Sequence, residues 1–351
     1  MCYGRIKKYY KVTNKEIVYL PITVERESSI KLSSELPIAM IVIVEKLPNV
    51  LNFSLAQDSL ECYCKHFGYP LIKVYPDEKT LWTEKCQMKN FVFQRYCIIK
   101  ELLIQKPEYK YFFFLDPDVG VVHPHHLLEE YINVDSELVM TEFGGEIVTN
   151  SFIIKNSQFA VDFLTDLSDY DRMIPNNFIK IDNSGLYVQL LLERSNPKKA
   201  RLCRSLWNNL KNLNTFLNHL VCVKRHLNLN YADFNPIEIR QVEQNQVWIR
   251  DGRLTKFTWS PKDFLLSGWQ LGTEFRNAFL PESNRLTFEL SICTTENATR
   301  NWSYSPYFMK TDREITEDIR QSSEWKKNEF AEIIKKNKFE QNEENFLFSQ
   351  F

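Results

Sequence analysis

The residues of this sequence best suited to chemistry are two aspartates that follow an apolar run. Asp116 and Asp118 come directly after YFFFL (111–115), and Pro117 between them favours a turn. Two carboxylates one residue apart can reach the same point in space when the chain turns between them. Their hard oxygen atoms suit Mn²⁺ or Mg²⁺, which also bridge diphosphate oxygens. The segment therefore predicts a divalent-metal site that neutralises charge on a departing nucleoside diphosphate.

Two other interpretations of these aspartates are open. They could be ordinary turn residues after a strand. Alternatively, the first aspartate could be the nucleophile of a haloacid-dehalogenase-type phosphatase. That phosphatase motif normally opens its domain, whereas at least two strands are expected before Asp116. Metal ligation is therefore the favoured hypothesis.

A histidine cluster, His123, His125 and His126, follows the same strand. Imidazole suits Zn²⁺, so the cluster is a second candidate metal site. A surface loop that leads into LLEEY (127–131) is the favoured interpretation. No combination of Ser or Cys with His and Asp has a spacing that indicates nucleophilic catalysis.

The elements before the aspartates alternate between strand and helix. PIAMIVIVE (37–45), LIKVY (71–75) and the run 111–115 are mostly apolar, as buried strands are. Helical periodicity extends over 52–67 and 85–105. This alternation predicts right-handed crossovers and a parallel sheet, whose ligands bind beyond the carboxyl ends of the strands. The two aspartates would lie at such an end.

Elements of both kinds are expected after the aspartates. Strands are predicted at 137–143 and 146–155, helices at 157–169 and near 202–227, and a late strand pair at 237–242 and 246–252. The charged tail from Asp312 predicts a peripheral helix or a partly ordered tail.

Composition narrows the possible functions. The 351 residues are 44% apolar and 25% charged, which is typical of a globular protein. Glycine is scarce, with 9 residues, so a Gly-rich nucleotide loop is not expected. The formal net charge of −1 provides no overall field for nucleic acid, and none is predicted as a partner.

The cysteines leave the redox environment open. None of the 8 forms a C-x-x-C pair, so a structural zinc site is not expected. Cys62 and Cys64 diverge on a predicted helix and cannot easily bridge each other. The even count permits disulfides in an oxidising compartment, but the pairing cannot be read from the sequence.

No signal peptide and no 18-residue apolar span occur in the sequence. Membrane attachment is expected only if an N-terminal anchor is missing from this chain. Glycosylation sequons occur at Asn52, Asn297 and Asn301, a number that chance explains in an Asn-rich chain.

Several segments together resemble a known family. FFFLDPDVGVVHP resembles the strand-plus-D-x-D signature of the nucleotide-diphospho-sugar transferases expanded in nematodes. It is distantly similar to yeast α-mannosyl- and α-galactosyltransferases of GT-A fold. Pro117 and His123 replace the family's usual Ala and Asn, and both aspartates are kept. The resemblance covers residues 37–272 and implies a GT-A-like, Rossmann-type α/β fold. Its mostly parallel sheet would be flanked by helices, with a smaller acceptor-side sheet.

The resemblance also implies roles on the donor side. PIAMIVIVE is similar to the strand that receives the nucleotide base, which makes Val44 and Glu45 donor-binding candidates. FVFQRYCIIKELL is similar to the helix before the D-x-D, which makes Arg95 a candidate donor contact. Asp116 and Asp118 would hold Mn²⁺ or Mg²⁺ on a UDP- or GDP-linked sugar.

Other matching segments imply an acceptor side. FGGEIVTNSFIIKNSQFA resembles the family's acceptor segment, with Gly144, Gly145 and Glu146 as candidates. IDNSGLYVQLLL resembles its T-D-N-G-A-L-H stretch, so Asp182 and Asn183 are the candidate catalytic or acceptor-orienting residues. A helix N-cap is the competing interpretation of this pair. The acceptor would be a hydroxyl of a glycan, protein or lipid.

A late segment departs from the family pattern. WSPKDFLLSGWQ resembles W-S-P-x-D-F-x-L-H-G-W-K, and its end (Ser267, Gly268, Trp269 and Gln270) is expected to close the diphosphate and metal site. Ser267 and Gln270 stand where relatives have a metal-binding His and a diphosphate-binding Lys, and Tyr187 replaces another His. The alternative function is therefore a degenerate member that binds nucleotide or glycan without turnover.

The expected organisation has three parts. Residues 1–36 form a polar lead-in, and 37–272 form the transferase domain. Within that domain, 37–125 is the nucleotide half and 126–272 the acceptor half. Residues 273–351 form a partly helical C-terminal extension. The resemblance places the protein in the secretory pathway, in the Golgi or ER lumen.

Overall fold

Two β-sheets form the framework of the residues that the computed structural model describes, which are 36–46, 51–76, 81–144, 146–173, 189–194, 196–209, 213–227, 235–244, 247–270 and 288–336. The strands are β1 (Ile38–Ile43), β2 (Leu71–Val74), β3 (Tyr111–Leu115), β4 (Gly120–Val121), β5 (Leu138–Phe143), β6 (Glu146–Lys155), β7 (Ile237–Gln241), β8 (Ile249–Asp251) and β9 (Leu265–Ser267). The α-helices are α1 (Ser54–Phe67), α2 (Leu81–Lys85), α3 (Phe91–Gln105), α4 (Gln158–Asp169), α5 (Pro197–Asn208), α6 (Leu213–Leu227) and α7 (Asp312–Lys336).

The larger sheet has six strands in the order β2-β1-β3-β6-β5-β7, and the smaller has three in the order β4-β9-β8. Strand β1 pairs in parallel with β2 and β3, and β5 pairs in parallel with β7. Strand β6 is antiparallel to both of its neighbours. The predicted fold class is therefore confirmed: an α/β protein with a mostly parallel central sheet, flanking helices and a smaller second sheet.

The apolar runs of β1 and β3 are explained by two cores, one on each face of the large sheet. In β1, Ile41 packs into the core that contains α3 and α4, whereas Met40 packs into the core that contains α1 and the small sheet. In β3, Phe114 and Phe113 divide in the same way. Because successive side chains point to opposite faces, a strand buried on both faces needs no polar alternation.

The predicted helix boundaries are confirmed in part. Helix α1 ends at Gly68, whose φ of 77° suits a residue without a side chain. Helix α3 begins at Phe91 rather than at 85, because the Asn90 side chain accepts from the Val92 N–H at 2.9 Å and caps it. The single helix predicted near 202–227 is wrong, since α5 starts earlier, ends at Asn208, and is followed by the separate α6.

The predicted late strand pair is also wrong, because its two members join different sheets. Strand β7 extends the large sheet beside β5, whereas β8 pairs with β9 in the small sheet. Between them the chain buries Trp248, whose ring lies 6.4 Å from Phe113 and whose Nε1 donates to Ser151 Oγ at 2.8 Å. The buried indole thus contacts β3 and β6 just before β8 begins.

The C-terminal part of the chain packs onto both sheets. Cys62 of α1 is disulfide-bonded to Cys293, and Trp302 Nε1 donates to the Val121 carbonyl at 2.7 Å. Over Asp312–Lys336 the charged tail forms helix α7, which buries Ile315 and Ile319. The helical alternative is therefore confirmed for the described part of this tail.

Two further disulfides, Cys86–Cys97 and Cys203–Cys222, join neighbouring elements, and Cys64 is buried with a free thiol. As expected, Cys62 and Cys64 do not bridge each other.

Within the described ranges, no helix combines the length and apolar character needed to cross a lipid bilayer.

Candidate active site at the end of the third strand

The two aspartates occupy a turn that is fixed from both sides. Val119 N donates to the Asp116 carbonyl at 3.1 Å and closes a four-residue turn with Pro117 in its second position. The Asp116 N–H donates to the Asn150 carbonyl at 2.8 Å, and Gln57 Nε2 donates to the Pro117 carbonyl at 2.9 Å. The chain thus turns between the two carboxylates, as expected from the presence of Pro117.

The late segment 267–270 closes over this turn. Trp269 N donates to the Asp118 carbonyl at 2.9 Å. The Asp118 carboxylate accepts from the Gly268 backbone and from the Gln270 side chain. Pairing of β4 with β9 sets this approach, and the buried Trp269 ring covers Gly120. The structure therefore brings together residues that are far apart in sequence, as expected for this segment.

Ser267 and Gln270 make neutral contacts at this site. Ser267 is buried, and its Oγ accepts from Asn150 Nδ2 at 2.9 Å. Gln270 offers an amide and no charge. Asn150 thus binds the turn through its carbonyl and the late segment through its side chain.

Arg95 lies against Asp116 rather than in an open cleft. Its guanidinium forms an ion pair with the Asp116 carboxylate and lies 5.5 Å from the centre of the Phe114 ring. The arginine is buried, with 6% of its surface exposed. Arg95 therefore orients and partly neutralises one of the two carboxylates, and its contact with a donor phosphate stays a prediction.

The pKa values of both aspartates are raised. Burial raises the pKa of Asp116 to about 6, Arg95 opposes the shift, and the charge of Asp118 adds to it. Burial also raises the pKa of Asp118, with Arg253 opposing and Asp251 adding to the shift. A divalent cation would stabilise two partly buried carboxylates that repel each other. Their hard oxygen atoms fit Mn²⁺ or Mg²⁺.

Two other groups of possible metal ligands have structural roles in the described part of the chain. His123 is buried and its ring lies 5.7 Å from Trp259, so this residue packs in the interior rather than in the expected surface loop. Among the described residues, one group of three brings possible ligand atoms close together: Cys203, Cys222 and His226. Its two cysteines are joined as a disulfide and are not available as thiolates.

The remaining donor-side candidates lie at the same sheet edge. Val44 and Glu45 follow β1, which pairs in parallel with β3, so both strands end on the side of Asp116. Val44 is buried and Glu45 is exposed.

On the acceptor side, Gly144 has a φ of 58°, and Glu146 forms an ion pair with Lys326 of α7. Gly145, Asp182 and Asn183 lie outside the described residues, and so does Tyr187.

Three residues of the site were missed by the sequence analysis: Asn150, Asp251 and Arg253. The Asp251 carboxylate accepts from the Arg253 N–H at 2.8 Å, and both side chains act on the pKa of Asp118. The Asp251–Gly252 dipeptide is a turn pattern that could have marked this loop. No sequence pattern near Asn150 predicts its place in the site, because the pairing of β6 with β3 is what brings it beside Asp116.

The fold and the site define an α/β protein with a carboxylate pair at the carboxyl edge of its central sheet. The chain belongs to the family DUF273, described as "Protein of unknown function", which matches residues 60–279. No curated protein matches the sequence.

Two solved structures are similar to parts of the chain. One is titled "crystal structure of a glycosyltransferase involved in the glycosylation of the major capsid of PBCV-1". It is 12% identical over 65% of this chain and 93% of that chain, with a TM-score of 0.41. The other is A197 from STIV, 11% identical over 43% of this chain and 75% of that chain, with a TM-score of 0.25.

Proposed function

We propose that this protein is a glycosyltransferase that moves a sugar from a nucleoside-diphosphate donor to a hydroxyl acceptor. The observation that carries the proposal is the carboxylate pair Asp116 and Asp118, held in a fixed turn at the carboxyl end of β3. Parallel strands that end together are where α/β proteins bind nucleotides. The ordered resemblance of several segments to nucleotide-diphospho-sugar transferases supports the same conclusion.

The proposed mechanism assigns Asp116 and Asp118 to hold Mn²⁺ or Mg²⁺. When bound, the cation would supply Lewis-acid stabilisation of the departing UDP or GDP. Arg95 fixes the Asp116 carboxylate, and the Gln270 amide is bound to Asp118 beside the proposed diphosphate position. Val44 and Glu45 would contribute to the nucleotide pocket at the end of β1.

The acceptor assignments are also part of the proposal. Glu146 would face the acceptor, with Gly144 and Gly145 allowing close backbone approach. Asp182 and Asn183 would orient the acceptor hydroxyl or the reacting sugar.

A second candidate function, binding of a nucleotide or glycan without turnover, is favoured by one observation. Ser267 and Gln270 contribute no charge at the end of the site, and Ser267 Oγ is bound to Asn150. Each charged contact that is missing at a leaving group costs about 2–4 kcal/mol of transition-state stabilisation. The phosphatase alternative is weaker, because a nucleophilic Asp116 would have to attack while paired with Arg95.

One assay separates these functions. The full chain is incubated with a panel of UDP- and GDP-linked sugars and Mn²⁺, and release of free nucleotide is measured. Asp118→Asn is the test variant, and Asp135→Asn is the matched control because Asp135 is exposed and outside the site. The transferase proposal expects release that is lost in the first variant and kept in the second.

Two other results would each favour one of the alternative functions. Nucleotide-sugar binding without release would favour the binding function. Release of phosphate from simple phosphomonoesters, lost in Asp116→Asn, would favour the phosphatase.

We also propose a location in the lumen of the secretory pathway. Three disulfides among the described residues suit an oxidising compartment. Of the three sequons, Asn52 and Asn297 are exposed, whereas Asn301 is buried and donates through Nδ2 to Glu289 O at 3.2 Å. Protein purified from a secretory host should therefore carry glycans at Asn52 or Asn297 and none at Asn301, as peptide mass spectrometry would show.

A further inference from the structure

An open cleft of about 830 Å³ is lined by Asn150, which contacts the carboxylate turn. Most of its lining residues come from three parts of the chain: strand β6 with Glu146 and Asn150, the segment 250–256, and helix α7. Asn150 connects the cleft to the turn that carries Asp116 and Asp118, because its carbonyl accepts from the Asp116 N–H. A ligand in this cleft would therefore lie beside the proposed donor site.

Helix α7 is fixed in place as a wall of this cleft. Ile315 and Ile319 are buried in a small cluster with Phe143 and Val242. The Ser323 hydroxyl donates to the Glu243 carboxylate. These contacts hold the helix on both the β5–β6 hairpin and the turn after β7.

Trp325 of α7 presents an exposed ring to the cleft. Its exposed fraction is 66%, although the helix that carries it is firmly packed. A single exposed apolar side chain is normal on a protein surface. Here the ring shares a cleft with hydrogen-bonding side chains that include Asn150, Asp251 and Gln321. An aromatic ring surrounded by polar side chains suits a ligand that has an apolar face of C–H groups and several hydroxyls. The C–H face can stack on the ring, and the hydroxyls can hydrogen-bond to the polar side chains.

Most of the charges of the cleft are balanced by internal pairs. Lys326 pairs with Glu146, Lys310 with Asp318 at 2.8 Å, and Arg253 with Asp251 at 3.6 Å. Arg250, which also lines the cleft, pairs with the Asp263 carboxylate. Lys256 is the one lining cation that has no ion pair among the described residues. A single charge in excess gives little preference for a strongly anionic ligand. A neutral, hydroxyl-rich molecule fits this environment.

We infer that the cleft binds a sugar unit of a neutral glycan acceptor, with Trp325 as the stacking platform. The inference rests on the proposed function for the identity of the neighbouring donor site. It selects a glycan from the three acceptor classes, glycan, protein and lipid. It also gives helix α7, which lies beyond residue 279 where the family match ends, a direct part in acceptor binding.

Binding of glycans is measured first, because it does not depend on turnover. The full chain is applied to an array of neutral oligosaccharides of hexose and N-acetylhexosamine units, and the affinities of the best ligands are measured in solution. Trp325→Ala should weaken this binding by about tenfold or more, and Trp325→Phe by about threefold or less, since a ring is kept. Tyr307→Ala is the matched control, because Tyr307 is 81% exposed and does not line the cleft.

Transfer is measured next, with the donor that the full chain hydrolyses. Trp325→Ala should lower the ratio of transfer to hydrolysis about tenfold. The glycan acceptor is bound through the Trp325 ring, whereas water, the acceptor in hydrolysis, does not require this ring. Equal glycan affinity in the wild type and Trp325→Ala would overturn the inference. Selective binding of peptides or of acyl-chain glycosides would overturn it as well. Binding that depends on Trp325, without donor hydrolysis that depends on Asp118, would overturn the proposed function and keep the glycan site.

Discussion

The backbone N–H of Trp269 donates to the carbonyl of Asp118 at 2.9 Å, and this bond joins the carboxylate turn to a segment that lies far from it in the sequence. The Trp269 ring then packs on Gly120, two residues beyond Asp118. The position of the Asp118 carboxylate therefore depends on the packing of an indole.

Gly120→Ala tests this dependence. A Cβ at position 120 would lie 2.5 Å from the Trp269 ring, so the ring or the turn must move. We expect a loss of about 1–3 kcal/mol in the free energy of unfolding and a marked loss of Mn²⁺-dependent nucleotide release. Urea unfolding and the release assay measure the two effects.

The matched control is Gly68→Ala. Gly68 has a positive φ but open space around it, so the variant is strained at a place far from the site. It should lose stability while the folded fraction still releases nucleotide. Equal activity in the two variants would show that the Trp269–Gly120 contact does not shape the site.

Arg95→Met removes the ion-pair partner of a partly buried carboxylate, Asp116. The pKa of Asp116, already raised to about 6, should rise further. Because the raised pKa belongs to the folded state, stability falls as pH rises from the unfolded value of 3.8 through the folded pKa. In EDTA, the variant should lose about 3 kcal/mol at pH 8 and clearly less at pH 5, as measured by urea unfolding.

Arg194→Met is the control for this experiment, because the Arg194–Asp166 pair is largely exposed. Its loss should stay below about 1 kcal/mol and differ little between the two pH values. A loss in Arg95→Met that is the same at pH 5 and pH 8 would contradict the assigned role of Asp116.

Mn²⁺ should stabilise the folded protein, and EDTA should reverse the effect. Binding to the folded state raises the free energy of unfolding by about 2.7 kcal/mol when the free cation is at 100 times its dissociation constant. Asp116→Asn and Asp118→Asn should lose this response in a thermal melt, and Asp135→Asn should keep it. A full Mn²⁺ response in Asp118→Asn would place the cation elsewhere.

Gln270→Lys should bring a positive charge to the side chain that now binds Asp118. If this segment faces the donor diphosphate, the KM for the donor should fall and nucleotide release should rise by roughly tenfold. Gln244→Lys adds the same charge at an exposed position outside the cleft and should change neither value. An equal effect of both substitutions would indicate a general charge effect.

Cys293→Ser should loosen the C-terminal part of the chain. The Cys62–Cys293 disulfide joins residues 231 apart, and removal of a disulfide that closes a long loop costs about 2–5 kcal/mol. Cys64→Ser, which removes no disulfide, is the control. Urea unfolding with and without a reductant distinguishes them, since reduction should abolish the difference that comes from the Cys62–Cys293 bond.

Local patterns in the sequence were sufficient to predict one part of the fold. The apolar runs at β1 and β3, the helical stripe of α1 and its end at Gly68 follow from side-chain periodicity and backbone preference. The placement of Asp116 and Asp118 after a buried strand, with Pro117 as a turn former, follows in the same way. The assignment of the Ser267–Gln270 segment to the same site came from family resemblance, which the residues alone would not have supplied.

Contacts between distant parts of the chain could not be predicted from these patterns and are known from the tertiary structure. It separated β7 from β8, chose Cys293 as the partner of Cys62, and placed Asn150 between the carboxylate turn and Ser267. It also placed Trp325 in a cleft beside them. Periodicity reports which face of an element is buried but not which other element covers it. Pairings across long sequence separations are therefore settled by packing and hydrogen bonding in the folded protein.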